Sequence, residues 1–180
     1  MIGFIKEIKN KCLLLLIFCN ITLVYFICVK ASSSQVTNKY ISNTLGIDLP
    51  KDIAIKLDDT HGGFHGDGTT FTKIEFKDKI SEDIKTEIEN NNHWSKLPLS
   101  ENIHLIMYGG TKGTHIYLYN LAKQVGLPMV RNGYWIFIDR YGNNHILNDD
   151  KKLFDRGSFN FTISIYDTNN NVLYYFEFDT

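Results

Sequence analysis

The chain has 180 residues, with 19 basic against 20 acidic side chains and a hydrophobic content of 43%. That is ample apolar material for the core of one domain and argues against a disordered chain. The charge is nearly balanced and no basic patch is clustered in the sequence, so nucleic acid is disfavoured as a partner.

Met1 to Lys11 is short and basic, with Lys6, Lys9 and Lys11 against Glu7. Residues 12–29 are then apolar except for Asn20 and Thr22. As a helix rising about 1.5 Å per residue, such a stretch spans roughly 27 Å, just enough for a bilayer core. Lysines ahead of it place the N-terminus inside and the rest outside. The expected organisation is a basic cytoplasmic N-terminus (1–11), a transmembrane signal-anchor helix (12–29), a linker with a short helix (30–48) and an extracytoplasmic domain (49–180). The protein is then single-pass in the cell membrane, which is itself a partner of the N-terminal helix. Secretion after cleavage near Ala31 is the alternative.

All three cysteines (Cys12, Cys19 and Cys28) fall in the N-terminal segment. The domain that follows can therefore hold no disulfide, cysteine-ligated zinc or cysteine nucleophile. Without the N-terminal lysines it is mildly acidic, with a net charge of about −4.

Helical spacing of Val36, Tyr40, Ile41 and Leu45 predicts a short helix stopped by Gly46. Ile53 to Leu57 alternates as a strand, and Phe71 to Phe76 reads as its return strand. Ser81 is a suitable N-cap for a helix over 82–90, with Ile84 and Ile88 as a narrow buried stripe. Trp94 is expected to pack over the sheet edge. Ile103 to Tyr108 is read as a strand and His115 to Val125 as a helix. Gly109-Gly-Thr-Lys-Gly-Thr114 between them misses the spacing of a phosphate loop and is taken as a connecting turn. Tyr134 to Asp139 is an apolar strand. Residues 159–166 and 172–179 alternate apolar and polar, which predicts a long antiparallel hairpin with one buried face.

The fold class expected is α+β: a single domain with a mainly antiparallel sheet of five or six strands and two or three helices, preceded by the N-terminal anchor.

Between the first two expected strands lies the stretch with the most chemistry, Asp58-Asp-Thr-His-Gly-Gly-Phe-His-Gly-Asp-Gly-Thr-Thr70. Glycines 62, 63, 66 and 68 rule out helix or regular strand. His61 and His65 offer imidazole, and Asp58, Asp59 and Asp67 offer carboxylate. His61, His65 and Asp67 would suit a divalent metal. His61 could equally serve as a general base oriented by Asp59, with His65 and Asp67 as further catalytic candidates. The same residues can make a tight turn whose side chains bond back to the backbone. The ligand-binding reading takes His61, Gly62, Gly63, His65 and Asp67 from the loop, with Asp139 and Arg140 nearby.

Several stretches occur together: Asp59-Thr-His-Gly-Gly-Phe-His-Gly-Asp-Gly68, Pro98-Leu-Ser-Glu-Asn102, Asn132-Gly-Tyr-Trp-Ile-Phe-Ile-Asp-Arg140, Ser158-Phe-Asn-Phe-Thr162 and Tyr174-Tyr-Phe-Glu-Phe-Asp-Thr180. In these the chain resembles a family of uncharacterised membrane-anchored or secreted proteins of low-GC Gram-positive bacteria. The resemblance covers most of the chain after about Leu49. It implies location and domain extent and carries over no catalytic residues. The expected function is binding of a ligand or protein partner at the cell envelope through loop 58–70. An extracytoplasmic hydrolase using His61 or His65 with Asp59 or Asp67, with or without a metal, is the alternative.

Overall fold

The computed structural model describes residues 18–23, 25, 35–51, 53–62, 66–142 and 146–180. The apolar stretch 12–29 lies mostly outside these; its residues 18–23 and 25 are helical. Among the described residues no helix is long and apolar enough to cross a membrane. Gly63 and His65 also lie outside.

The architecture is α+β and its main sheet is antiparallel throughout. The strands are β1 (Asp58–Asp59), β2 (Gly68–Glu75), β3 (Ser95–Lys96), β6 (Gly133–Asp139), β7 (Ile146–Leu147), β8 (Asn160–Asp167) and β9 (Val172–Asp179). Their order is β1-β2-β9-β8-β6-β3, with β7 also paired to β6. A separate hairpin joins β4 (Gly110–Lys112) to β5 (His115–Tyr117). Helices α1 (35–45) and α2 (Asp78–Asn90) cover one face of the sheet; α3 (Glu101–Tyr108) and α4 (Leu121–Val125) cover the other.

Period-two alternation explains why both faces can be dry. On β6, Trp135 and Phe137 turn toward α3 and α4, whereas Ile136 and Ile138 turn toward α1 and α2. On β8, Phe161, Ile163 and Ile165 take the first side and Tyr166 the second. On β9, Tyr174 and Phe176 oppose Leu173 and Tyr175 in the same way. The β8–β9 hairpin is therefore buried on both faces, not on one as its alternation predicts. The "polar" set of that alternation, Thr162, Ser164 and Glu177, is buried beneath α1 and its neighbours. A fully buried ring such as Phe161 contributes about 1.5–3 kcal/mol.

The expected helix spans 35–45 and Gly46 turns the chain at φ +64°; of its spaced apolar residues Ile41 and Leu45 are buried, whereas Val36 and Tyr40 are exposed. Trp94 is buried and donates its indole N–H to the Leu45 carbonyl at 3.2 Å. The seven-stranded main sheet and the four helices α1–α4 exceed the five or six strands and two or three helices expected, and four other expectations need correction. Residues 53–57 form no strand, and pairing with β2 begins only at Asp58. Helix α2 starts at Asp78, and Ser81 lies inside it, donating its hydroxyl to the Asp78 carbonyl at 2.6 Å. Residues 103–108 belong to helix α3, because the Ser100 hydroxyl caps the Ile103 N–H and Ile103, Ile106 and Met107 share the buried face. His115 begins β5, and only 121–125 of the expected helix are helical. Lys112, in the Gly/Thr/Lys stretch, contacts Glu101 at 2.9 Å and Asn102 at 2.8 Å. That lysine is committed to α3.

Candidate functional site: the loop after the first strand

The neck of the loop is closed by two threonines. Thr60 N–H donates to the Thr69 carbonyl at 2.9 Å, and Thr69 N–H donates to Thr60 Oγ1 at 2.8 Å. Gly68 makes this closure possible. A Cβ at that position would sit 2.6 Å from the backbone N and Cα of His61. Real Cβ atoms do not approach backbone so closely, so only glycine fits.

His61 is fixed from both ends of its ring. Nδ1 lies 2.7 Å from Asp59 Oδ1, which also accepts the His61 backbone N–H at 2.9 Å. Nε2 lies 3.0 Å from Asp179 Oδ2 on β9. An ionised carboxylate can only accept, so a carboxylate at each end of the ring favours hydrogen on both nitrogens and with it the charged imidazole. Partial burial works against that charge, but the bonds to Asp59 and Asp179 outweigh it and raise the His61 pKa. Asp59 is shifted down in turn, first by the His61 backbone N–H and then by its ring.

The cluster continues inward. Asp179 Oδ2 also accepts from Arg140 Nη2 at 2.9 Å. Arg140 Nε donates to Thr162 Oγ1 at 3.0 Å, and Nη2 to the Phe161 carbonyl at 3.1 Å. Thr162 and the hydroxyls of Tyr40 and Tyr175 converge on Glu177 Oε1. Desolvation raises the Tyr175 pKa strongly, so this hydroxyl stays a donor. A polar chain thus runs from the loop through β9, β6 and β8 to helix α1.

Of the residues singled out from sequence, Asp59, His61 and Arg140 are brought together. Asp139 is not: it faces the other side of the sheet and holds Arg156 Nη1 at 2.7 and 2.8 Å. Asp67 and Gly62 are exposed on the loop. Among the described residues no group of three or more His, Cys, Asp and Glu side chains could hold a metal. For His61 to ligate one, it must first give up Asp59 or Asp179. Sequence reading missed Asp179 and Glu177. The signal was present: two acids share the alternation of Leu173 and Tyr175, so they lie on a face that is otherwise apolar.

The other side of the loop's neck is open. Asp58, Thr60, Thr69 and Phe71 face Gln124 and Val125 of α4 across a cleft of about 450 Å³. The Phe71 ring stacks on Tyr174 with centroids 6.5 Å apart, which sets its orientation in the cleft wall.

Fold and candidate site together define an α+β structure whose antiparallel main sheet carries a clamped polar loop at one edge. Comparison with family models, with curated proteins and with solved structures gives no match.

Proposed function

We propose that this chain is an extracytoplasmic binding module, tethered to the membrane by residues 12–29, that takes a ligand or partner of the cell envelope at loop 58–70. The observation that carries this reading is the cleft at the foot of the loop, opposite the His61 clamp. One carboxylate, two hydroxyls and one amide surround an aromatic ring there. Such a lining suits a neutral, hydroxyl-bearing ligand, which needs several hydrogen bonds and one apolar face. The clamp holds the neck of the loop in one geometry, and such preorganisation lowers the entropic cost of binding.

The test is cosedimentation of the full chain with purified cell-wall material. Asp58→Ala and Gln124→Ala change exposed side chains and leave the clamp intact. Each is expected to weaken binding about tenfold. Unchanged binding in both would remove the cleft from the account.

The second reading, a hydrolase, rests on the 2.7 Å contact between Asp59 and His61, the orienting half of an acid–base pair. It requires Nε2 to exchange Asp179 for a substrate or water. Turnover of an envelope substrate that is abolished by His61→Ala would favour it.

A further inference from the structure

A second site lies away from the loop and shares no lining residue with its cleft. Lys85 of α2, Lys96 of β3 and Arg131, two residues ahead of β6, border a cleft of about 290 Å³. The register brings them together. Lys85 and Glu89 are one helical turn apart, outside the buried stripe of Ile84 and Ile88. Lys96 pairs with Tyr134 across β3 and β6.

The charge in this cleft is unbalanced. Its one carboxylate, Glu89, is engaged by the Tyr134 hydroxyl at 2.7 Å and has Lys85 Nζ at 3.9 Å. Among the described residues neither Lys96 nor Arg131 forms an ion pair. Three cations against one occupied carboxylate, in a domain that is acidic as a whole, make a local attraction for anions. Arg131 also offers a planar fork that fits an oxyanion.

Leu97 and Arg131 belong at the same time to an adjoining groove of about 220 Å³. Its walls are mostly apolar (Leu99, Tyr108, Met129 and Val130), with the exposed His104 imidazole also on its border. The Tyr108 hydroxyl donates to the Pro128 carbonyl at 2.9 Å, and burial pushes its pKa up to about 12, so this hydroxyl stays uncharged. Met129 is 55% exposed, an apolar side chain with most of one side bare. A cationic cleft and an apolar groove with a shared border call for a ligand with both characters.

We propose that the cleft and groove together bind an amphipathic anion, with a phosphate or carboxylate head between Lys96 and Arg131 and a short apolar arm over Leu97 and Met129. The site is independent of the loop. It gives this chain a second specificity, for a charged head carrying an acyl or alkyl group.

The test is calorimetric titration of the full chain with hexyl phosphate, inorganic phosphate and hexyl glucoside. Hexyl phosphate is expected to bind at least about tenfold more tightly than either of the others. Lys96→Gln combined with Arg131→Gln is expected to weaken it by about tenfold or more, and Met129→Asp, through its like charge, by a similar factor. All three side chains are exposed, so the fold is retained. Competition by lysophosphatidylglycerol supports the site with a lipid as its source; competition by phenyl phosphate alone supports it with a soluble organic phosphate. Equal affinity for inorganic phosphate overturns the apolar arm. Equal affinity for hexyl glucoside, unchanged affinity in the double variant, or no binding of hexyl phosphate overturns the proposal.

Discussion

The Nε2 atom of His61 lies 3.0 Å from Oδ2 of Asp179, across 118 positions of chain. This contact fastens the loop after β1 to the last strand of the sheet. Replacing His61 with alanine leaves Asp59 without its ring partner and Asp179 with Arg140 alone. The expected cost is about 1–3 kcal/mol. Equilibrium denaturation of wild type and His61→Ala measures it, and coincident midpoints would mean that the contact does not stabilise the fold.

The same clamp predicts a pH dependence. Folding raises the His61 pKa. Its contribution is therefore fully present below the unfolded value, about 6.5, and is lost as pH rises through the higher folded value. Asp59 has the opposite sign because folding lowers its pKa. Its contribution is present above about 3.9 and is lost as pH falls through the folded value. The stability difference between wild type and His61→Gln should therefore be largest between about pH 4 and 6.5 and shrink in alkali. Denaturation midpoints of both proteins from acid to alkali check this; a difference that grows in alkali contradicts it.

Gly68 carries a steric prediction. Gly68→Ala forces a methyl group to within 2.6 Å of the His61 backbone, so the neck must open. A loss of about 1–3 kcal/mol is expected, with faster amide exchange at Thr60 and His61. Exchange at Thr72 and Ile74, deeper in β2, should change less. Wild-type protection at His61 in the variant would show that the neck tolerates the methyl.

Glu177 tests the buried end of the polar chain. Its Oε1 receives the hydroxyls of Tyr40 and Tyr175 in a nearly solvent-free setting. Glu177→Ala strands the fully buried Tyr175 hydroxyl, whereas half-exposed Tyr40 can turn to water, and is expected to cost about 1–3 kcal/mol. Glu177→Gln keeps a carbonyl acceptor and should cost less. Thermal unfolding of the two variants gives the order, and equal losses would show that the charge, not the hydrogen-bond geometry, is what matters.

Much of the sheet was legible because β6, β8 and β9 carry long alternating runs of aromatic and β-branched residues. Alternation alone hid that both faces are covered, since Thr162, Ser164 and Glu177 look solvent-facing until α1 and α2 are laid over them. Helix α3 was misread for a related reason. Ile103, Leu105, Ile106 and Met107 form a nearly continuous apolar run, and such a run has no period that separates a buried strand from a buried helix. The loop was singled out as a candidate from its glycines, histidines and acids. Its geometry was not legible, because the second partner of the His61 ring, Asp179, comes from the far end of the chain. Lys85, Lys96 and Arg131 likewise show no cluster in sequence; the pairing of β3 with β6 and the packing of α2 assemble their cleft.

The most direct test of the central claim, that His61 clamps a binding loop and does not serve as a free base or metal ligand, is its imidazole titration by nitrogen-detected NMR in the full chain, with and without added zinc. The expected result is a pKa above the ordinary value of about 6.5, both ring nitrogens protonated below that pKa, and no change when zinc is added. A pKa at or below that value, or a zinc-dependent shift, would contradict it and would favour the catalytic or metal reading of the loop.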